Sequence, residues 1–211
     1  MRAPGPQPNK NPRYSTGTEF AVVVKMSVMT AVDPRVSFAE LEQWPDDGRR
    51  YELYDGEVVV VPSPFPRHQR VAMHIGEFLT EYERATDGIV FDVPIDIVFS
   101  EFDVVQPDVV FFRKERRHLI HMWEATRVPP DLAVEVLSRS TERRDRGRKM
   151  ELLARFGVPE YWIVDPVGNR LEIYTLGDSG YALAGSYGEH QQVTSPTLVG
   201  CSFPAARIFE D

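Results

Sequence analysis

Two stretches decide how this chain is read: Val104-Val105-Gln106-Pro107-Asp108-Val109-Val110-Phe111-Phe112 and Leu132-Ala133-Val134-Glu135-Val136-Leu137. Each has the nearly continuous apolar composition of a strand buried on both faces, and each carries one carboxylate. An ionised carboxylate in such a strand costs on the order of several kcal/mol unless it is paired or bound to a cation. A divalent metal shared by Asp108 and Glu135 would compensate both. Mg²⁺, with Mn²⁺ as its substitute, takes oxygen ligands and is typically held by one or two carboxylates, waters and a substrate phosphate. The same pattern also admits carboxylates at strand ends, exposed or paired with one of the many arginines.

Around these strands the rest of the domain falls into place. Ser37 with Glu40 three residues on forms a capping box for a short helix that Pro45 closes. Tyr51–Tyr54, Asp55-Gly56 and Glu57–Val61 predict a hairpin with a type I′ turn. Val71, Ala72, Ile75, Phe78, Leu79 and Tyr82 recur at helical spacing over 68–84, and Asp87-Gly88 ends the run. Ile89–Phe99, Val104–Phe112 and Leu132–Leu137 read as three strands. A second helix runs from about Thr141 to Phe156, stopped by Gly157 and Pro159. A strand at Glu160–Asp165 and a meander over Arg170–Thr175 and Tyr181–Tyr187 complete the chain. This order predicts an α+β fold, a central mixed sheet flanked by two longer helices, with hairpins near both ends.

The helix after the Glu135 strand brings a third group into play. From Glu135 the chain climbs six residues to Thr141, at most ~20 Å at strand rise, and returns eight residues along the helix, ~12 Å. Lys149 thus comes back to within about 8 Å of the level of Glu135, and a lysine side chain covers much of that distance. On spacing alone Asp145 and Lys149 also form an ordinary i, i+4 surface pair.

The 211 residues carry 24 basic and 32 acidic groups, a formal net charge of -8, which speaks against a polyanion partner unless positive charge is focused locally. Arg139–Arg155 and Arg113–Arg117 are the two basic segments available for that. Residues 1–30 hold Pro4, Pro6, Pro8 and Pro12 and little apolar periodicity, and are expected to be a disordered leader to a domain spanning 31–211. Met26 and Met29 are alternative starts. Cys201 is the only cysteine, so no disulfide within the chain and no cysteine-rich zinc site forms, and a reducing cytoplasm is the expected location. No apolar run reaches the ~20 residues of a membrane span.

Taken as an ordered set, Tyr51-Glu52-Leu53 with Asp55-Gly56-Glu57, His68, Gln106-Pro107-Asp108-Val109, Pro130-Asp131-Leu132 with Glu135-Val136-Leu137-Ser138, Thr141 with Asp145 and Lys149, and Gly157 to Pro166 resemble the bacterial Uma-two family. That family belongs to the restriction-endonuclease-like PD-(D/E)XK superfamily, and the resemblance spans about residues 33–209. It implies a restriction-endonuclease-like core of helix, three strands, helix and strand, and a Mg²⁺-dependent endonuclease acting on DNA. Pro107-Asp108 corresponds to the PD pair and Glu135-Val136-Leu137 to (D/E)XK, so Leu137 stands at the lysine position. Related families carry that lysine on the following helix, where Lys149 matches it.

The resemblance thus implies that Asp108, Glu135 and the backbone carbonyl of Val136 hold the metal while Lys149 orients water or phosphate. It marks Glu52 as a ligand to a second metal or its water, and His68 as a proton donor or phosphate contact. A lone histidine at a helix start also reads as a structural cap. The rival reading is a catalytically degenerate member that binds nucleic acid or a protein without cutting; the position of Lys149 separates the two. Cutting both strands of a duplex suggests a homodimer. His118 and His121 have HxxH spacing but no third ligand, and read as surface residues.

Overall fold

The computed structural model describes residues 35–210. The expected leader, with Met26 and Met29, lies outside the described residues.

Ser37 opens α1 (Phe38–Leu41) by the expected reciprocal cap: its Oγ accepts the Glu40 amide, and the Glu40 carboxylate accepts the Ser37 amide at 2.8 Å. β1 (Arg50–Tyr54) and β2 (Glu57–Val61) pair antiparallel, with Asp55 and Gly56 at φ 51 and 77, the positive values a type I′ turn requires. α2 (Pro66–Thr86) starts on a proline that needs no amide partner and ends where Asp87 turns left-handed.

The next two expected strands are each divided. Ile89–Phe99 becomes β3 (Ile89–Phe91) and β4 (Ile97–Ser100), interrupted around Pro94, and Val104–Phe112 becomes β5 (Asp103–Val105) and β6 (Val109–Phe112), interrupted at Pro107. A proline cannot donate to a strand ladder, and each break lets the chain change sheets. Then come α3 (Lys114–Arg117), β7 (Leu132–Val136), α4 (Glu142–Arg144), a π-helical turn (Asp145–Lys149) and α5 (Met150–Arg155). They are followed by β8 (Glu160–Asp165), β9 (Arg170–Gly177), β10 (Gly180–Gly188), β11 (Gln192–Thr194), β12 (Ser202–Pro204) and α6 (Ala206–Phe209).

The central sheet is mixed, in the order β10-β9-β8-β7-β6-β3, with only β7 and β8 parallel, joined by the crossover through α4 and α5. A second sheet, β2-β1-β5-β4, contains the other half of each divided strand. Because side chains alternate along β7, Leu132, Val134 and Val136 meet Val71, Ile75 and Leu79 of α2 on one face. Ala133 and Leu137 meet Leu152 and Leu153 of α5 on the other. Glu135 shares that second face, which turns it toward the π-helical turn. Among the described residues no helix is long and apolar enough to cross a membrane.

Candidate active site

The break at Pro107 places Asp108 just ahead of β6, where its amide still donates to Val134 O at 3.1 Å. Its Oδ2 accepts the Val136 amide at 2.9 Å and lies 3.1 Å from His68 Nε2 on the first turn of α2. Glu135, one residue earlier on β7, receives Lys149 Nζ on Oε1 at 2.6 Å, and the same ammonium is 2.7 Å from Glu52 Oε1 on β1. Glu52 also accepts the Gln106 amide at 3.0 Å and the Tyr54 hydroxyl at 2.9 Å, with Arg144 Nε at 3.5 Å. Asp108, Glu135, Val136, His68 and Lys149 line one narrow pocket together with Arg50, Arg144 and Pro62 to Pro64. Its free space of about 20 Å³ has room for little more than one water-sized body.

The structure thus brings together Asp108, Glu135, Lys149, Glu52 and His68, from α2, β1, the β5–β6 break, β7 and the π-helical turn. Lys149 is 1% exposed, so the surface-pair reading of Asp145 and Lys149 does not hold; the two are 4.0 Å apart and both buried. The expected single helix over 141–156 is interrupted because Asp145–Lys149 winds as a π-helix, a rare local widening. Tyr161 supports it by donating to Asp145 O at 3.1 Å. His68 makes no capping bond at α2, whose cap position is Phe65. Glu52 accepts the Gln106 amide and faces Lys149 through Oε1, and accepts the Tyr54 hydroxyl through Oε2, so in this arrangement it holds the lysine.

Four carboxylates (Asp108, Glu135, Glu52, Asp145) meet two permanent cations here, Lys149 and Arg144. Burial would raise Glu52, but Lys149 and Arg144 bring it below the ordinary carboxylate value. Burial raises Glu135 well above that value, and Asp145, Asp108 and Glu52 add to the rise against the pull of Lys149. Burial alone would lower Lys149, yet Glu135 and Glu52 carry it well above the usual lysine value. Lys149 is therefore charged and shared between Glu135 and Glu52. Because Glu52 has Arg144 as a second cation while Glu135 faces three other carboxylates, Glu135 is the one left short of positive charge. Asp145 is raised, first by burial, and both its oxygens are buried without a hydrogen-bond partner. For His68, burial lowers the imidazole's pKa but Asp108 raises it further, for a net rise.

Charge deficit and donor chemistry together test the fit of a divalent cation. Among the described residues no three His, Cys, Asp or Glu side chains form a ready metal cluster. What the pocket offers is two carboxylates and, beside them, the backbone of Val136. Mg²⁺, which keeps several waters and binds through one or two carboxylates, suits that set.

Most of the basic residues in the two segments are paired rather than free for a phosphate, Arg139 and Arg143 being exposed. Arg146 pairs with Glu142 and Glu172, Arg148 with Glu57 and Arg155 with Asp103. In the other run Arg113 and Arg116 approach Asp131, and Lys114 pairs with Asp87. That run follows β6, at the opposite end of the strand from Asp108. Of the residues around Glu52, Gln106 lies in the Gln106-Pro107-Asp108-Val109 segment, whereas Arg144 and Tyr54 carry no motif of their own in the sequence. Their signal is adjacency alone: Arg144 precedes Asp145 and Tyr54 follows Glu52 by two residues.

Fold and pocket define a class: an α+β protein of restriction-endonuclease-like architecture, with two carboxylates at the ends of its central strands and a lysine reaching them from the following helical segment. The chain belongs to the Uma2 family, described as "Putative restriction endonuclease", which it matches over residues 38–206. It is 25% identical over 185 residues to an uncharacterized protein of Synechocystis sp., covering 83% of this chain and 92% of that one. Its fold is similar to the crystal structure of a "putative nuclease belonging to DUF820" from Anabaena variabilis, with a TM-score of 0.69 and 15% identity. That likeness covers 82% of this chain and 97% of the other. The family description supports a nuclease function, and the structural likeness shows the fold.

Proposed function

We propose that this protein is a cytoplasmic Mg²⁺-dependent endonuclease, with Mn²⁺ as an effective substitute, that hydrolyses DNA phosphodiester bonds. The observation that carries this reading is the meeting of Asp108 and Glu135 in one pocket, with the Lys149 amine 2.6 Å from Glu135 although Leu137 occupies the usual lysine position. Asp108, Glu135 and the carbonyl of Val136 would hold the cation, which supplies an activated water and stabilises charge on the phosphate.

The chain's own groups do the rest. Glu52, itself paired with Arg144, fixes Lys149 beside Glu135, where its charge orients the water or the phosphate at no reorganisation cost. His68 holds Asp108 in place and carries a proton at Nε2 next to the pocket. Cutting both strands of a duplex calls for two copies of the site, which a homodimer supplies.

The test is cleavage of plasmid, single-stranded DNA and RNA with Mg²⁺ or Mn²⁺, alongside Asp108→Ala and Glu135→Ala. Cleavage of DNA that needs the metal and is lost in both variants is expected. A folded wild type that cuts nothing would favour the degenerate binding protein, and equal cutting by all three proteins would overturn the assignment.

A further inference from the structure

A second concavity of about 200 Å³ adjoins the catalytic pocket, and Arg50 and Gln106 line both. Its walls include Trp44 and Tyr51, whose rings meet edge to face at 5.3 Å and 82°. Tyr51 is held in that orientation by donating its hydroxyl to Asp47 Oδ2 at 2.7 Å. Trp44 remains 41% exposed, and an edge-to-face pair leaves ring surface open for stacking.

Arg50 is the distinctive cation here. Arg144 and Lys149, the other cations lining the catalytic pocket, are tied to buried carboxylates. Arg50 has no carboxylate, carbonyl or ring partner among the described residues, and its half-buried position between the two concavities leaves its guanidinium available to a phosphate. Deeper in the wall, Gln106 donates Nε2 to Asp96 at 2.7 Å, while its Oε1 is buried with no partner. The wall therefore combines an aromatic platform, a free guanidinium at the entrance and an unpartnered acceptor. Glu42, Asp46, Asp47 and Asp96 also line it; they keep a phosphate to the Arg50 side and accept from a base amino group.

We propose that this concavity receives the base of an unpaired nucleotide next to the scissile phosphate, stacked on Trp44 and Tyr51, with Arg50 holding the phosphate between the two pockets. The inference rests on the nuclease reading and narrows it: a paired base is stacked in its duplex and cannot enter, so the preferred substrate presents single-stranded nucleic acid at the cut.

The test measures fluorescence anisotropy of a labelled single strand of about 12 nucleotides, alone or paired with its complement, at low salt with EDTA so that nothing is cut. Wild type and Asp108→Ala are expected to bind the single strand more tightly than the duplex. Trp44→Ala and Arg50→Gln should each weaken single-strand binding about 5- to 20-fold, with Trp44→Phe retaining most of it and duplex binding unchanged. Circular dichroism confirms that each variant is folded. Single-strand binding that is absent in wild type, no tighter than duplex binding, or unchanged in both Trp44→Ala and Arg50→Gln would overturn the subsite. Binding that depends on Trp44 without metal-dependent cleavage would leave the subsite standing and remove the nuclease chemistry. Cleavage of single strands that Trp44→Ala and Arg50→Gln leave unchanged would do the reverse.

Discussion

Glu135 and Glu160 lie on neighbouring parallel strands, and both side chains are buried, yet their surroundings differ. Glu160, at the start of β8, accepts Trp162 Nε1 at 2.5 Å, Ser195 Oγ at 2.8 Å, and the Thr197 amide and hydroxyl at 3.0 and 2.6 Å. Glu135 is near the end of β7, roughly 10 Å further along the strands, where it receives one donor, Lys149, and faces Asp108, Glu52 and Asp145. A buried carboxylate fully supplied with neutral donors ties the C-terminal segment to the sheet. One left short of positive charge among other carboxylates is equipped to take a cation. Burial of an acid therefore does not identify the site; the balance of its partners does.

The sharpest way to break this contrast is to remove each acid in turn. Glu135→Ala should lower cleavage by about 10³-fold or more while the protein still folds, because Lys149 keeps Glu52. Glu160→Ala strands several buried donors and should cost about 3–5 kcal/mol in urea unfolding, with cleavage per folded molecule unchanged. Lys149→Met leaves Glu52 and Glu135 facing each other and should cost a similar ~3–5 kcal/mol. Adding Glu52→Gln should restore much of that stability without restoring cleavage.

A smaller effect concerns pH. The Glu135 carboxyl is raised in the folded protein, so its contribution to stability is present below pH 4.5 and lost as pH rises through the folded value. Wild type should therefore lose stability relative to Glu135→Gln as pH rises above 4.5, in urea titrations without metal. Mn²⁺ should recover the loss in wild type only. The smallest expected change is in His68→Gln, which removes a group that positions Asp108 and should reduce cleavage about tenfold, with folding retained.

Much of the Glu135 side of this contrast is legible in the amino-acid sequence. Apolar strands each interrupted by one acid mark Asp108 and Glu135, and the rise of strand and helix places Lys149 at the level of Glu135. The Asp55-Gly56 turn and the Ser37 cap are legible because their chemistry is local. The strand breaks at Pro94 and Pro107 are harder to see, because a continuous apolar run hides a change of sheet when both halves are buried. The π-helical turn leaves no trace in the periodicity. Glu160 reads only as the start of a strand, since its donors include Ser195 and Thr197, far along the chain. Arg139–Arg155 resembles a free basic surface because a sequence shows charges without their partners.

The most direct test of the central claim is electron paramagnetic resonance of Mn²⁺ titrated into wild type, Asp108→Asn, Glu135→Gln and Glu160→Gln, each checked for folding. Bound Mn²⁺ is expected in wild type and Glu160→Gln, and its loss in Asp108→Asn and Glu135→Gln. Undiminished binding in Asp108→Asn and Glu135→Gln, or no binding in wild type, would contradict that claim.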